Sequence, residues 1–126
     1  MSYPDHLSYT KDHEWISFED DDTATIGITD YALEQLGDVV YLELPEVDST
    51  FDSGDSFGTV ESTKTVSDLY MPITGRILKV NEEIADNLEQ LTSAPYTDGW
   101  LIKIAFEKKE GELLTAGEYA QFTKED

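Results

Sequence analysis

The stretch Gly58-Thr-Val-Glu-Ser-Thr-Lys64-Thr-Val-Ser-Asp-Leu-Tyr-Met-Pro-Ile-Thr-Gly75 holds one lysine between two runs of β-forming residues. The first run, 57–60, and the second, 65–70, are spaced like the two strands of a hairpin. The hydroxyl residues just before the lysine can hydrogen-bond the local backbone, which favours a tight turn. Lys64 is therefore predicted at or near the tip of a hairpin.

The composition is strongly acidic: the 126 residues include 28 Asp and Glu against eight Lys and Arg, for a net charge of −20. Such a surface repels phosphate backbones and anionic lipid head groups, so we expect neither nucleic acid nor a membrane as a partner. The length suits a single domain over residues 1–126. The N-terminus shows no signal or transit peptide and no stretch is long enough to span a membrane, so we expect a cytoplasmic protein.

The residues that commonly carry catalysis or metals are scarce. Cysteine is absent, which excludes disulfides, thiolate metal sites and cysteine nucleophiles. The two histidines, His6 and His13, cannot supply a three-histidine zinc site, and no glycine-rich phosphate loop is present. The acidic run 19–22 lacks the spaced ligands and central glycine of a calcium loop and is interpreted as a solvated turn. We therefore expect no metal and no catalysis by this chain alone.

Short strands are predicted for most of the remaining sequence. In residues 39–44, Val40, Leu42 and Leu44 share one face, which we expect to be buried. The clearest period-two alternation spans 100–106 and predicts a core strand. The other predicted strands are 15–18, 23–28 and 76–80, and the expected core includes Ile28, Leu36, Val40, Leu42, Val60, Ile77, Ile102 and Ile104.

Three helical regions are predicted around these strands. Thr29 or Asp30 can cap the first, and Gly37 can end it in a left-handed conformation. The second region follows Asn81, which can open a helical or irregular segment. The helical regions are 30–36, the surroundings of 82–88, and 110–122, the last as two short helices broken near Ala116 and Gly117.

The residues alone leave two interpretations of Lys64 open. A lysine at a strand edge can simply prevent unwanted strand pairing. Alternatively, a hairpin tip presents the amine to a modifying enzyme and gives an attached arm room to move. The polar neighbours Thr63 and Thr65 disfavour a Schiff-base lysine, which needs apolar surroundings to lower its pKa.

Several blocks of the sequence stand out together over about residues 7–119. These blocks are Tyr9-Thr-Lys-Asp-His-Glu-Trp15, Ile26-Gly-Ile-Thr-Asp-Tyr-Ala32, Gln35-Leu-Gly-Asp-Val-Val40, Glu43-Leu-Pro-Glu46, Gly58 to Lys64, Ser67 to Gly75, Val80-Asn81 and Pro95-Tyr-Thr-Asp-Gly-Trp100. In their order and spacing they resemble the glycine cleavage H-protein family. Thr63 departs from the family pattern, which commonly has an apolar residue before the lysine, and 87–91 lacks a proline that is usual there.

The resemblance implies a mainly β fold, a barrel-sandwich hybrid of the lipoyl/biotinyl type with short peripheral helices and a C-terminal helix, whose central part spans about 23–106. It implies a non-catalytic carrier with lipoic acid in amide linkage to Lys64. Such a carrier takes the aminomethyl group of glycine from a pyridoxal-phosphate glycine decarboxylase to a tetrahydrofolate-dependent aminomethyltransferase. A dihydrolipoyl dehydrogenase with FAD and NAD then reoxidises it, and a lipoate ligase or lipoyl transferase attaches the arm.

The resemblance also implies a cleft on the body of the protein that docks the loaded arm, at Glu14, Ile28, Leu36 and Asp68. The cargo is the aminomethyl group, which ends in an ammonium. If this ammonium lies about 4 Å from a carboxylate near a protein surface, their electrostatic attraction is worth up to about 4 kcal/mol before the cost of desolvation is subtracted. Exclusion of water from such a cleft protects a water-labile cargo.

Other carriers and modules remain as alternatives. A biotin carrier usually has methionines beside its lysine, where Thr63 and Thr65 stand here. A lipoyl domain of a 2-oxo-acid dehydrogenase complex has Asp-Lys-Ala at its tip and lies in a longer chain with linkers. A lipoyl relay protein in lipoate metabolism would share most of these features, and a purely structural module would leave Lys64 unmodified.

Overall fold

The computed structural model describes residues 3–108 and 113–124. Within these ranges the chain forms nine short strands and four short helices. The strands are β1 (Ser8–Tyr9), β2 (Glu14–Phe18), β3 (Thr23–Ile28), β4 (Val39–Glu43), β5 (Thr50–Phe51), β6 (Ser56–Ser62), β7 (Val66–Tyr70), β8 (Gly75–Val80) and β9 (Ile102–Phe106). The helices are α1 (Asp30–Leu36), α2 (Glu82–Asp86), α3 (Leu88–Ser93) and α4 (Ala116–Lys124).

The strands form two antiparallel sheets. The larger has the order β1-β2-β3-β9-β8-β5, and the smaller has the order β4-β6-β7. Their inner faces contribute to one apolar core, with Ile26, Ile77 and Ile104 from the larger sheet and Leu42 and Val60 from the smaller. This arrangement confirms the predicted mainly β fold of two packed sheets with short helices.

Helix α1 begins and ends where the sequence predicts. The Thr29 side chain accepts a hydrogen bond from the backbone N–H of Ala32, so Thr29 is the N-cap. Gly37 follows the helix with φ of 82°, a conformation that residues with a Cβ rarely adopt. These two residues fix the length of α1 and turn the chain into β4.

The expectation that Val40 is a core residue is wrong, because its side chain is 49% exposed. The pairing of β4 with β6 is irregular between Val39 and Tyr41. An extra residue in one strand disturbs the alternation of faces, so the pattern that predicted burial fails at this position. Leu42, beyond the irregularity, is buried as expected. The other six predicted core residues are also buried.

The C-terminal region differs from the two short helices that the sequence predicts. Helix α4 is continuous over Ala116–Lys124, and Gly117 lies in its first turn instead of breaking it. The predicted segment before it falls partly on 109–112, which lie outside the described residues. The helix forms because Ala116 and Tyr119 are buried against an aromatic cluster that a single-sequence pattern does not reveal.

That aromatic cluster joins α4 to the start of the larger sheet. Tyr119 stacks on Tyr9, with ring centroids 4.9 Å apart and an interplanar angle of 10°. Its hydroxyl also forms hydrogen bonds with His13 Nδ1 at 2.8 Å and with Thr29 Oγ1 at 2.7 Å. One tyrosine thereby connects α4, the loop before β2 and the N-cap of α1.

None of the helices in the described ranges is long and apolar enough to cross a membrane. Residues 3–108 and 113–124 also contain no group of three or more His, Asp or Glu side chains placed to hold a metal ion.

Candidate functional site

Lys64 lies at the tip of the β6–β7 hairpin and is exposed, as the sequence predicts. Ser62 shapes this turn: its hydroxyl accepts hydrogen bonds from the backbone N–H groups of Lys64 and Thr65, both at 3.2 Å. The backbone N–H of Thr63 donates to the carbonyl of Asp38 at 3.1 Å, which ties the tip to the loop after α1. The fold thus presents the lysine on a supported turn.

The aliphatic part of the Lys64 side chain passes over Gly37 at the end of α1. A Cβ added to Gly37 would lie 3.3 Å from Lys64 Cε and 3.7 Å from Nζ. Glycine therefore suits this position for two reasons: it readily adopts a positive φ, and its lack of a Cβ leaves space for the Lys64 side chain.

A cleft of about 380 Å³ lies beside the hairpin, between β7, α1 and the adjoining ends of β2 and β3. The four residues predicted to dock an arm, Glu14, Ile28, Leu36 and Asp68, all line it. Leu69 and other apolar side chains extend its apolar wall. A second cavity of about 370 Å³ lies against β5, β8 and β9 and contains none of the predicted site residues.

Glu14 is the buried polar group of the cleft, with only 2% of its surface exposed. Its Oε2 atom accepts a hydrogen bond of 2.8 Å from the backbone N–H of Tyr70, which joins β2 of the larger sheet to β7 of the smaller. Its Oε1 atom is buried and has no hydrogen-bond partner in the described part of the chain. Burial raises the pKa of Glu14 well above its ordinary value, although the Tyr70 N–H opposes this shift.

Asp68 is the exposed carboxylate of the same cleft. Its neighbours on β6 and β7 contribute only long contacts, from Ser56 Oγ at 3.4 Å and from the Tyr70 hydroxyl at 3.5 Å. Distances of this length contribute little, so the carboxylate is available to other partners. The cleft therefore combines one buried and one exposed acid with an apolar wall.

Comparison with known proteins identifies the family to which this chain belongs. The family model described as Glycine cleavage H-protein matches residues 7–126 of the chain. The chain belongs to the glycine cleavage H-protein family. Members of this family are the lipoyl carriers of the glycine cleavage system, so the function that the sequence blocks imply is confirmed at this level.

Individual members of the H-protein family are similar over nearly their whole length. The glycine cleavage system H protein of Streptomyces avermitilis is 46% identical over 123 residues, covering 98% of each chain. That of Halothermothrix orenii is 48% identical over 127 residues, covering 99% of this chain and 98% of its own. The crystal structure of the Mycobacterium marinum H protein superposes with a TM-score of 0.92 at 45% identity, covering 97% of this chain and 99% of that one.

Two features of this H-protein site are not readable from the sequence. His13 lines the cleft with φ of 66°, an uncommon conformation for a residue other than glycine, and its partner Tyr119 is distant in sequence. The backbone N–H of Tyr70, which holds Glu14, carries no sequence signal because every residue except proline has such a group.

Proposed function

We propose that Lys64 is the residue that carries lipoate in this H protein, and that the adjoining cleft receives the cargo end of the arm. The chain would then carry the aminomethyl group of glycine from a pyridoxal-phosphate glycine decarboxylase to a tetrahydrofolate-dependent aminomethyltransferase. A dihydrolipoyl dehydrogenase would restore the disulfide form of the arm. The observation that supports this proposal best is the exposed lysine at the hairpin tip, directly followed by the strand that lines the cleft.

The residues present fit a lipoyl arm. When attached, the arm supplies a dithiolane that accepts the aminomethyl group together with two electrons. Lys64 and Asp68 are four positions apart in the sequence, which corresponds to about 13 Å of extended chain. Ile28 and Leu36 offer an apolar surface for a hydrocarbon chain, and Glu14 Oε1 offers a buried acceptor that has no hydrogen-bond partner among the described residues.

The two acids of the cleft suit a cargo with an amine. An ammonium beside a carboxyl group favours the ionised carboxylate, which opposes the effect of burial on the pKa of Glu14. An ammonium paired with the buried Glu14 carboxylate would be shielded from solvent, so their electrostatic attraction would be stronger than that between an ammonium and the exposed Asp68. Glu14 therefore contributes most to holding the cargo, and Asp68 contributes at the solvent side.

Replacement of Glu14 by glutamine should shorten the lifetime of the bound cargo several-fold and leave lipoylation unchanged. The amide keeps an acceptor for the Tyr70 N–H but cannot become an anion, so the attraction to an ammonium is lost. The measurement is the rate of ammonia release from the loaded protein in the absence of tetrahydrofolate. A lifetime equal to that of the wild-type protein would exclude Glu14 from cargo binding.

The pH dependence of stability gives an independent check on the same variant. Because the folded state raises the pKa of Glu14, its proton stabilises the fold at low pH, and this contribution is lost as the pH rises through the folded-state pKa. Glu14→Gln should remove that part of the pH dependence, whereas the exposed matched variant Asp68→Asn should not. Urea unfolding of both variants over a pH series measures the difference.

Attachment at Lys64 is tested by peptide mapping after incubation with lipoic acid, ATP and a lipoate ligase. The proposal requires one lipoyl group on the peptide with Lys64. Lys79 is also exposed, on β8, and Lys79→Arg should be modified like the wild-type protein. Modification of another lysine, or of none, would overturn the proposal.

A further inference from the structure

We infer that an exposed row on the outer face of the smaller sheet, formed by Tyr41 and Val66, is the surface on which the lipoate-attaching enzyme docks. The inferred partner presents an apolar depression beside its active site, bordered by basic side chains. The inference rests on the proposed attachment of lipoate at Lys64, and names the partner and the contact for that step.

The register of the strands defines the row. Tyr41 of β4 lies opposite Glu61 of β6, and Glu61 lies opposite Val66 of β7. Directly opposed residues share a sheet face with their Cβ atoms about 5 Å apart, so Tyr41 and Val66 lie about 10 Å apart with Glu61 between them. The inner face of these strands holds the buried residues Leu42 and Val60.

The row concentrates the apolar surface of an acidic protein at one place. The large hydrophobic residues exposed in 3–108 and 113–124 are Val40, Tyr41, Val47 and Val66, at 49%, 55%, 53% and 59%. Tyr41 and Val66 belong to the row, and Val40 adjoins it at the irregularity of β4. Scattered exposed apolar residues need no explanation, but a group on the hairpin that carries the proposed attachment lysine is typical of an interaction site.

The chemistry of attachment selects the partner. The amine of Lys64 attacks the activated carboxyl carbon of lipoate, the C–N bond forms, the bond to the activating group breaks, and the amine loses a proton; no electrons are transferred. Since Lys64 has only a four-carbon stem, the enzyme must enclose the hairpin tip and contact the pair Glu61–Val66 at its base. The enzymes that handle the cargo act at the far end of the arm and need not touch the row.

Charge defines the border of the surface. The next row of the same face places Glu43 opposite Thr59 and Thr59 opposite Asp68, which also lines the cleft, so two exposed carboxylates lie beyond the row in addition to Glu61 within it. Together with the net charge of −20, this pattern complements a partner with basic residues around an apolar depression. Association should therefore become slower as the salt concentration rises.

The test compares lipoylation kinetics of the full chain with purified lipoate ligase, lipoic acid and ATP. The variants are Tyr41→Thr, Val66→Thr and their combination, because threonine is a polar residue whose β-branched side chain suits strands. The matched control is Val47→Thr, which changes a valine of similar exposure between β4 and β5. We expect the double variant to lose at least about tenfold in kcat/KM, mainly through KM, and the control to stay within about twofold.

Once fully lipoylated by long incubation, the double variant should be reduced and reoxidised by dihydrolipoyl dehydrogenase at the wild-type rate.

Lipoylation of the double variant with the wild-type kcat/KM would overturn the inference but would leave the proposed attachment at Lys64 intact. A wild-type chain that is not lipoylated at all would instead overturn the proposed function. If sedimentation shows dimers that the double variant abolishes, with lipoylation unchanged, the row binds a second copy and the inference is wrong.

Discussion

The Lys64→Arg variant is expected to have no carrier activity and an unchanged fold. Arginine keeps the positive charge at an exposed position, so the stability of the hairpin should change by less than about 0.5 kcal/mol. A guanidinium does not lose its proton under physiological conditions and cannot replace the lysine amine as an acceptor of the lipoyl group. Glycine-dependent NADH formation with the three enzymes proposed as partners should therefore fall to the rate without carrier.

The matched control for this variant is Lys79→Arg, which changes another exposed lysine on β8 and should keep full activity. Urea unfolding of both variants verifies that any loss is not a loss of folding. Carrier activity of Lys64→Arg at the wild-type rate would show that the arm is attached elsewhere or is not used.

The Gly27→Ala variant should be destabilised by about 3 kcal/mol or more. Gly27 lies opposite Trp15 in the β2–β3 pair, and a Cβ at this position would overlap the indole ring. The ring cannot easily move, because Trp15 is 2% exposed and its Nε1 donates a hydrogen bond of 3.0 Å to the carbonyl of Pro95. Overpacking costs about 1 to 3 kcal/mol, and loss of a buried hydrogen bond adds a similar amount.

Gly117→Ala provides the comparison for Gly27→Ala. Gly117 lies in the first turn of α4, and the nearest atom to an added Cβ is 4.0 Å away. Alanine should be neutral there or should stabilise the helix by about 0.5 to 1 kcal/mol. The free energy of unfolding in urea measures both variants, and equal stability of Gly27→Ala and the wild-type protein would contradict the packing described for Trp15.

The local elements could be predicted because their signals lie within a few residues. The hairpin around Lys64 and the boundaries of α1 depend on adjacent turn and capping residues, and both predictions are confirmed. The exposure of Val40 could not be predicted, since the irregularity depends on how β4 pairs with β6. The continuity of α4 through Gly117 likewise depends on the distant aromatic partners of Tyr119.

The cleft was predictable only through the family resemblance. Glu14 is separated from Asp68 by more than fifty residues, and spacing alone does not bring the two carboxyl groups together. The packing of the two sheets brings them together, and the backbone N–H of Tyr70 in the smaller sheet donates a hydrogen bond to the Glu14 side chain in the larger sheet. The burial of the Oε1 atom, which has no hydrogen-bond partner within residues 3–108 and 113–124, and the raised pKa of Glu14 follow from that packing.

The most direct test of the carrier function is the exchange of labelled bicarbonate into glycine by a purified pyridoxal-phosphate glycine decarboxylase. The assay compares the chain before and after lipoylation at increasing concentrations. We expect exchange that saturates with the lipoylated chain and remains at background with the unlipoylated one. A chain that carries lipoate on Lys64 but supports no exchange would contradict the proposed role and would indicate a lipoyl protein that serves another system.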